Sequence, residues 1–319
     1  MESIEDLSFA ESNNSVIAEQ EPPWNINLLL NKSYTLYHCT PLYNFNNGKI
    51  KNYTNELKEY MLSKETTIGC DNDEQDEFKE FNGGKIEEVK ISWINLTGWS
   101  GALNKPLGVK ILFKSNGRRK EQESLIVILP SIQNEVSLSN SEFTKYPLLL
   151  VKALQSTTEI FFEWFQSRFD CRVCRFIIQP YHLRQFVEIW SKLMFSNLDS
   201  IEDDFCKISK SIELTYKIPN IDDINNLTVS LSFEDVKRIC QGKMNHTGSQ
   251  EISGILEEIE DHLFRSLHLK LSLIVLIKVG LNSFYVSNDG KLKLFHVPHD
   301  DHEQLMIKIL EQFIELAEM

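Results

Sequence analysis

The sequence predicts an α+β protein made of two lobes of mostly antiparallel sheet, each covered by helices. Three observations support this fold class. Segments with apolar residues at every second position outnumber those with helical spacing. Strong turn signals join neighbouring strand segments, the clearest being Asn116-Gly117 and Asn288-Asp289-Gly290. The pattern also stops at an acidic stretch near 198–205 and then restarts, which predicts the boundary between the lobes.

The N-terminal lobe is predicted over residues 25–205. The tail before it, residues 1–24, is acidic and has no apolar period, so we expect it to be disordered. An aromatic strand, YTLYHC, opens the fold and is stopped by Pro41. A short helix follows, then an acidic loop over 71–88. Three strands come next, with the sequences KIEEVKISWINLTGW, LGVKILFK and ESLIVILP.

The second part of this lobe alternates strands with helices. The strand YPLLLVKA leads to an aromatic helix, in which Ser156 and Glu159 have the spacing of a capping box and Trp164 lies on the inner face. A strand, CRVCRFIIQP, then leads to a helix, YHLRQFVEIWSKLM, with an apolar stripe at helical spacing.

The C-terminal lobe is predicted over residues 206–319, and we expect it to contain the dimerisation region. Two alternating strands, SIELTYKIP and NLTVSLSF, precede a helix that opens at Ser232. In the next helix, ISGILEEIEDHLFRSL, the predicted core residues are Ile255, Leu256, Ile259, Leu263, Phe264 and Leu267. Long strands follow over 271–294, and a final helix begins at about Asp301.

Charge is distributed unevenly along the 319 residues, whose net charge is -13. Residues 1–22 and 71–88 each carry a net charge of -6, so the rest of the chain is close to neutral. An acidic average therefore does not exclude local contact with nucleic acid. The N-terminus lacks the features of a signal peptide, and the longest apolar run, 273–277, is too short to cross a bilayer. We expect a reducing compartment and six free cysteines.

No familiar catalytic motif is present in the sequence. It lacks a glycine-rich phosphate loop, a G-x-S-x-G turn and an H-E-x-x-H motif, so we expect neither an enzyme nor a bound cofactor. Cys171-x-x-Cys174 fits a redox pair or half a zinc site, but no second pair completes the site, and structural thiols are the simpler interpretation. The same choice applies to a histidine and aspartate group, which fits either metal binding or a helix cap: His296, His299, Asp300, Asp301 and His302.

A basic finger surrounds the Asn116-Gly117 turn and consists of Lys114, Arg118, Arg119 and Lys120. The first interpretation is ordinary solvated charge on a turn. The second is a positive surface that contacts DNA phosphates, which four adjacent charges on a nearly neutral body would favour. The sequence alone leaves both interpretations open.

The segment over 271–286 is a candidate pairing strand. Its apolar residues Leu271, Leu273, Val275 and Ile277 alternate with residues that are also largely apolar, so both of its faces should be buried. A partner chain can supply part of that cover by adding a strand to the sheet. The alternative is a central strand of the protein's own sheet.

Three segments together resemble the centromere protein L family: LLLNKSYTLYHCTPLYNF, YPLLLVKALQSTTEIFFEWFQSRFDCRV and SNDGKLKLF. The second contains the family's W-F-Q-x-x-F-D-C block, which runs from Trp164 to Cys171 in this chain. The resemblance extends with gaps from about Leu28 to Phe295. The acidic loop over 71–88 has no counterpart in the family.

The resemblance implies a non-enzymatic inner-kinetochore subunit in the nucleus, at the centromere. Such proteins form a heterodimer with centromere protein N, contact centromere protein C and other inner-kinetochore subunits, and help to hold the centromeric nucleosome and its DNA. The implied fold has two α/β lobes, distantly like a recombination-associated protein, with no membrane attachment. The alternatives are a nucleic-acid-binding recombination or repair factor with a similar fold, and an enzyme whose site is not recognised.

Overall fold

The architecture is α+β, as predicted, with one large mixed sheet, a second sheet of two short strands and six helices among the described residues. The computed structural model describes residues 24–67, 85–99, 104–114, 122–132, 142–195, 211–219, 225–247, 254–296 and 302–319. None of the helices in these ranges is both long enough and apolar enough to span a membrane.

Fourteen strands and six helices are found in these ranges. The strands are β1 (Trp24–Asn25), β2 (Ser33–Cys39), β3 (Leu42–Tyr43), β4 (Lys85–Asn95), β5 (Leu107–Lys114), β6 (Gln122–Leu129), β7 (Phe143–Thr144), β8 (Leu148–Lys152), β9 (Val173–Arg175), β10 (Ile212–Lys217), β11 (Asn226–Leu231), β12 (Val275–Gly280), β13 (Phe284–Ser287) and β14 (Lys291–Leu294). The helices are α1 (Ile50–Thr67), α2 (Gln155–Phe169), α3 (Pro180–Phe195), α4 (Phe233–Thr247), α5 (Ile255–Leu267) and α6 (His302–Glu318).

The large sheet is continuous from the N-terminal strands to the C-terminal strands. Its order is β1-β4-β5-β6-β8-β2-β14-β13-β12-β10-β11, and the pairs are antiparallel except for β1 with β4. Strand β2 lies at the centre. It pairs with β8 along one edge, while its other edge pairs first with β14 and then with β9. The predicted opening strand therefore joins the two halves, and a lobe boundary at 205 stays a prediction.

Two hydrophobic layers lie on opposite faces of this sheet. One layer packs under α3, α4, α5 and α6, and we call that side the four-helix face. The other packs under α1 and α2, and we call it the two-helix face. Strand β6 contributes Leu125 and Val127 to the first layer and Ile126 and Ile128 to the second, because successive side chains point to opposite faces.

The last helix begins within a residue of its predicted start and buries its predicted stripe. That stripe, all in the core, consists of Leu305, Met306, Ile309, Leu310, Phe313 and Leu316. Helix α6 crosses back over the N-terminal strands and packs against α3 and β8. Near its start, Glu303 Oε1 accepts a hydrogen bond from the Thr97 amide at 3.4 Å. The C-terminal element thus covers strands formed by the first half of the chain.

Helix caps show where local prediction succeeds and where it fails. Ser232 caps α4 as expected, because its Oγ accepts a hydrogen bond from the Asp235 amide at 3.1 Å. The capping box at Ser156 is wrong: the N-cap of α2 is Leu154, two residues earlier, and no side chain caps it. The Thr158 hydroxyl instead donates to the Leu154 carbonyl at 2.9 Å.

Helix α5 receives its cap from another helix. The Glu188 carboxylate of α3 accepts hydrogen bonds from the amides of Gly254 and Leu256, at 2.7 and 3.1 Å. A carboxylate is also favoured by the positive end of the helix dipole. No local sequence signal predicts this cap, since Glu188 and the start of α5 are far apart along the chain.

Three predicted boundaries change in the structure. Trp24, assigned to the tail, belongs to the sheet, where it pairs with Ile94. The strand predicted over CRVCRFIIQP is only three residues long, Val173–Arg175. The strand expected from residue 271 begins at Val275, because Leu271–Leu273 forms a 3-10 turn.

Candidate functional site

Among the described residues, the two-helix face has no helical cover over the C-terminal half of the sheet. The hydrophobic layer under α1 and α2 contains no residue from strands β10 to β14. In those strands most apolar side chains, such as Leu214, Phe284 and Leu292, point to the four-helix face. Val275 and Tyr285 lie on the other side, opposite Lys217 and Lys293. Within the described part of the chain, no helix covers the opposite side of these strands, where Lys217 and Lys291 are exposed and Thr215 and Ser287 are buried.

Four lysines lie on this open side, and we call the surface they form the lysine face: Lys217, Lys278, Lys291 and Lys293. The strand register places them together. Lys278 of β12 lies opposite Thr215 of β10, and Thr215 is two residues before Lys217 on the same strand. Lys293 of β14 lies opposite Tyr285 of β13. Directly opposed residues share a face, and so do residues two apart on one strand.

Few acidic groups oppose these lysines. Glu213 lies on the same face, and Asp289 sits in the β13–β14 turn, where its carboxylate is 3.3 Å from Lys291 Nζ and 3.7 Å from Arg175. Burial acts to raise the pKa of Asp289, but hydrogen bonds from Ser287 and Lys291 outweigh it, so the pKa lies below its ordinary value. The carboxylate stays charged at neutral pH, so the described residues of this face carry four lysines against two carboxylates.

Sequence reasoning missed the lysine face, although its signal is present. In the last hairpin Lys291 and Lys293 alternate with Leu292 and Leu294, which is the pattern of a strand with one solvent-exposed face. The pattern predicts that the lysines share a face. It does not predict that the lysines of two other strands align with them.

The predicted basic finger is only partly described. Strands β5 and β6 form the expected antiparallel pair, with Phe113 opposite Gln122 at its open end. Lys114 is exposed at the end of β5. Arg118, Arg119 and Lys120 lie outside the described residues, so a phosphate-binding role for the finger stays a prediction.

The four predicted pairing residues do not form one surface. Strand β12 is paired with β10 on one edge and with β13 on the other, which makes it an internal strand. Leu271 and Ile277 are buried within this chain, at 1% and 8% exposure. Leu273 and Val275 are exposed, at 73% and 48%. Leu271 and Ile277 are thus covered within this chain, Leu273 and Val275 are not, and pairing of a partner at this segment stays a prediction.

Other exposed apolar residues lie close to Leu273 and Val275 in the sequence. Phe264, Leu267 and Leu269 are 46%, 56% and 41% exposed. Phe264 and Leu267 were predicted to point inward, but α5 uses Ile255, Leu256, Ile259 and Leu263 for the core, and the other two lie off that stripe. We call these five residues the apolar end. Clusters of this kind on a protein surface mark interaction sites.

The sheet edge nearest to the apolar end is β11. This strand is last in the sheet order, so within the described residues its outer edge has no strand partner. Its sequence, Asn226–Leu231, contains neither lysine nor proline, the residues that commonly block edge pairing. Leu227 and Val229 are half-buried against the four-helix layer. A further strand added here would complete their cover.

The cysteine and histidine candidates show no metal-site geometry. Cys174 is exposed, with its Sγ 3.9 Å from His38 Nδ1 across the β2–β9 pair. A hydrogen bond with the Cys39 thiol lowers the pKa of Cys171, and the same bond, with burial, raises the pKa of Cys39. The described residues contain no group of three or more ligating side chains placed for a metal ion. His299, Asp300 and Asp301 lie outside them.

Comparison with known proteins gives one consistent result. The family model described as Centromere protein L matches residues 28–318. Centromere protein L of Mus musculus is 24% identical over 297 residues, which cover 88% of this chain and 82% of the relative. The Gallus gallus protein is 25% identical over 313 residues (94% and 82%), and the Homo sapiens protein is 24% identical over 319 residues (95% and 83%).

Proposed function

The chain belongs to the centromere protein L family, and from that premise we propose that it acts by binding and not by catalysis. The family places it in the nucleus, at the centromere and kinetochore, in chromosome segregation. Our proposal is that it joins a protein partner at the apolar end and contacts centromeric DNA through the lysine face and the basic finger.

The proposed partner is a relative of centromere protein N, in a heterodimer that also contacts centromere protein C and other inner-kinetochore subunits. The observation that carries the pairing is the apolar end, five exposed apolar residues within 264–275, together with β11, whose outer edge has no strand partner among the described residues. Burying such residues at an interface stabilises it by about 25 cal/mol per Å² of apolar surface. A strand added to β11 would supply the backbone hydrogen bonds.

The DNA contact rests on charge and shape. Four lysines on an open sheet face can meet phosphates along a duplex, and each neutralised phosphate releases counterions. Lysine contacts to phosphate carry no base identity, so binding should be nearly independent of sequence. This is the behaviour expected of a subunit that holds chromatin without reading a sequence.

The heterodimer is tested by co-expression with a centromere protein N relative and affinity purification. We expect Leu273→Asp to abolish stoichiometric recovery of the partner, because it places a charge at the centre of the apolar end. The side chain is 73% exposed, so the isolated chain should fold normally. Far-ultraviolet circular dichroism and the thermal midpoint check this.

Ile177→Asp is the matched control. Ile177 is 63% exposed and lies between β9 and α3, outside the five residues of the apolar end. It should leave partner recovery unchanged. Full recovery of the partner with Leu273→Asp, or an equal reduction with both variants, would argue against the apolar end as the pairing surface.

A further inference from the structure

The N-terminal tail has a composition that complements the lysine face. Residues 1–22 carry six acids and no base, namely Glu2, Glu5, Asp6, Glu11, Glu19 and Glu21. The lysine face carries four lysines against Glu213 and the Asp289 of the neighbouring turn. Opposite charges on a tethered segment and an uncovered surface attract each other over roughly a Debye length, about 8 Å at physiological salt.

The tail is long enough to reach that face. It enters the fold at Trp24, in the edge strand β1. The lysine face begins at β14, six strands from β1, and ends at β10, nine strands away. At about 4.8 Å per strand these separations are about 29 to 43 Å. A segment of 23 residues spans up to about 75 Å when extended.

Attachment to the same chain also gives the tail a high effective concentration at the lysine face. A flexible segment of this length has a root-mean-square span of about 24–29 Å, which is close to the shorter separation. Under that condition an intramolecular contact acts as if the tail were present at about millimolar concentration. A weak electrostatic contact is therefore sufficient for substantial occupancy.

Apolar residues give the tail a second means of contact. Ile4, Leu7 and Phe9 lie among the first acids of the tail. On the folded body, Val275 is opposite Lys217 in the β10–β12 pair and is 48% exposed. The lysine face therefore has an apolar residue at its border, where a mixed acidic and apolar segment would fit better than a purely acidic one.

We propose that the acidic tail docks in the same molecule on the lysine face and competes there with DNA phosphates. The competition rests on the DNA contact of the proposed function, while the docking does not. DNA must displace the tail before it binds. A partner that captures the tail would raise the affinity of the subunit for DNA without touching the face.

The docking is tested directly by zero-length carbodiimide coupling of the full chain at low concentration. This reagent joins carboxylates to amines that are in contact. We expect links within one molecule between tail acids and Lys217, Lys278, Lys291 or Lys293, identified by mass spectrometry. The links should disappear when coupling is carried out at high salt, because screening weakens the contact.

The competition is tested by measuring DNA affinity for three forms beside the full chain. The first lacks residues 1–22, and the second has its six tail acids changed to amides. The third is the matched control, with six loop acids changed to amides, namely Asp71, Asp73, Glu74, Asp76, Glu77 and Glu80. The second and third forms lose the same negative charge.

We expect the first two forms to bind DNA about three- to tenfold more tightly at about 50 mM salt, with the difference shrinking as salt rises. The loop control should bind like the full chain. Absence of tail-to-lysine links, or an equal gain in the loop control, would overturn the proposal. An equal gain in the loop control would mean that the lower negative charge raises DNA affinity without any docking of the tail.

The two proposals fail in different ways. If the links form but no variant binds DNA, docking stands and the proposed DNA contact is wrong. If all four forms bind DNA equally, the tail does not compete with DNA, and the proposed competition is wrong whether or not the links form.

Discussion

The two-helix face of the sheet differs between its two halves. Over β4, β5, β6 and β8 it is buried under α1 and α2, whereas over β10 to β14 no described helix covers it and it carries the lysine face. In the covered half, β6 from Leu125 to Leu129 and β8 from Leu148 to Val151 are apolar throughout, while β11 and β14 of the open half alternate polar and apolar residues. Strands buried on both sides supply stability, and strands buried on one side leave a surface free for binding.

The cover of the first half is an aromatic layer. Phe161, Trp164, Phe165 and Phe169 of α2 pack with ring centroids 5.2–6.3 Å apart. Tyr53 of α1 meets Phe169 edge to face at 5.1 Å. Such pairs add stability beyond the area they bury. The open half has no comparable layer among the described residues.

The largest effect is expected for Trp164→Ala. The side chain is 6% exposed within the aromatic layer, and truncating a buried tryptophan costs about 3–5 kcal/mol of the free energy of unfolding. Chemical denaturation of the isolated chain measures this. Tyr285→Ala, an aromatic truncation on the half-exposed open side, is the matched control and should cost about 1 kcal/mol or less. Equal destabilisation by the two variants would remove the distinction between the halves.

An intermediate effect is expected for Gly290→Ala, in the hairpin that ends the open half. Gly290 has φ +76°, and an added Cβ would lie 2.1 Å from the Phe176 carbonyl oxygen. Both the left-handed backbone and the backbone clash oppose a side chain, so we expect a decrease of about 2–3 kcal/mol in the free energy of unfolding.

Gly242→Ala provides the control for that substitution. Gly242 lies inside α4, and nothing is within 4 Å of its added Cβ. The same chemical change should therefore stabilise the protein, by about 0.5–1 kcal/mol. Denaturation curves that shift in the same direction for both variants would contradict the role assigned to the Gly290 turn.

The smallest effect on stability, and the most specific effect on function, is expected on the lysine face. Lys217, Lys278 and Lys293 changed together to alanine should leave the thermal midpoint nearly unchanged. The change should lower the slope of log affinity against log salt for DNA by about 0.9 for each phosphate that a lysine no longer neutralises. Fluorescence anisotropy of the assembled heterodimer across a salt series measures the slope.

The matched control removes exposed lysines from the covered half. Lys51 and Lys58 lie on the solvent side of α1, and changing both to alanine should leave the slope unchanged. A four-residue alanine variant of the basic finger, at Lys114, Arg118, Arg119 and Lys120, tests its contribution in the same assay. The lysine face loses its proposed role if its variant and the α1 variant behave alike.

The sequence by itself determined the local elements and their pairing. Asn116-Gly117 and Asn288-Asp289-Gly290 predicted hairpins, and the β5–β6 and β13–β14 pairs have that connectivity. Helical spacing predicted the buried stripe of α6 and the inward position of Trp164. These features depend on residues within a few positions of one another, where the periods of 2 and 3.6 apply directly. The family resemblance also came from the sequence.

Only the tertiary structure decided which faces are covered and which remain open. The apolar run at 273–277 predicted a buried strand but not its neighbours, and β12 proved to be internal to the chain's own sheet. The network around Glu260, which accepts from Arg184 at 2.6 Å and from Tyr216 at 3.0 Å, joins α3, α5 and β10 across long separations in sequence. The period of the sequence pattern predicts which side chains share a face. It does not predict what packs against that face, because the packing partners come from distant parts of the chain.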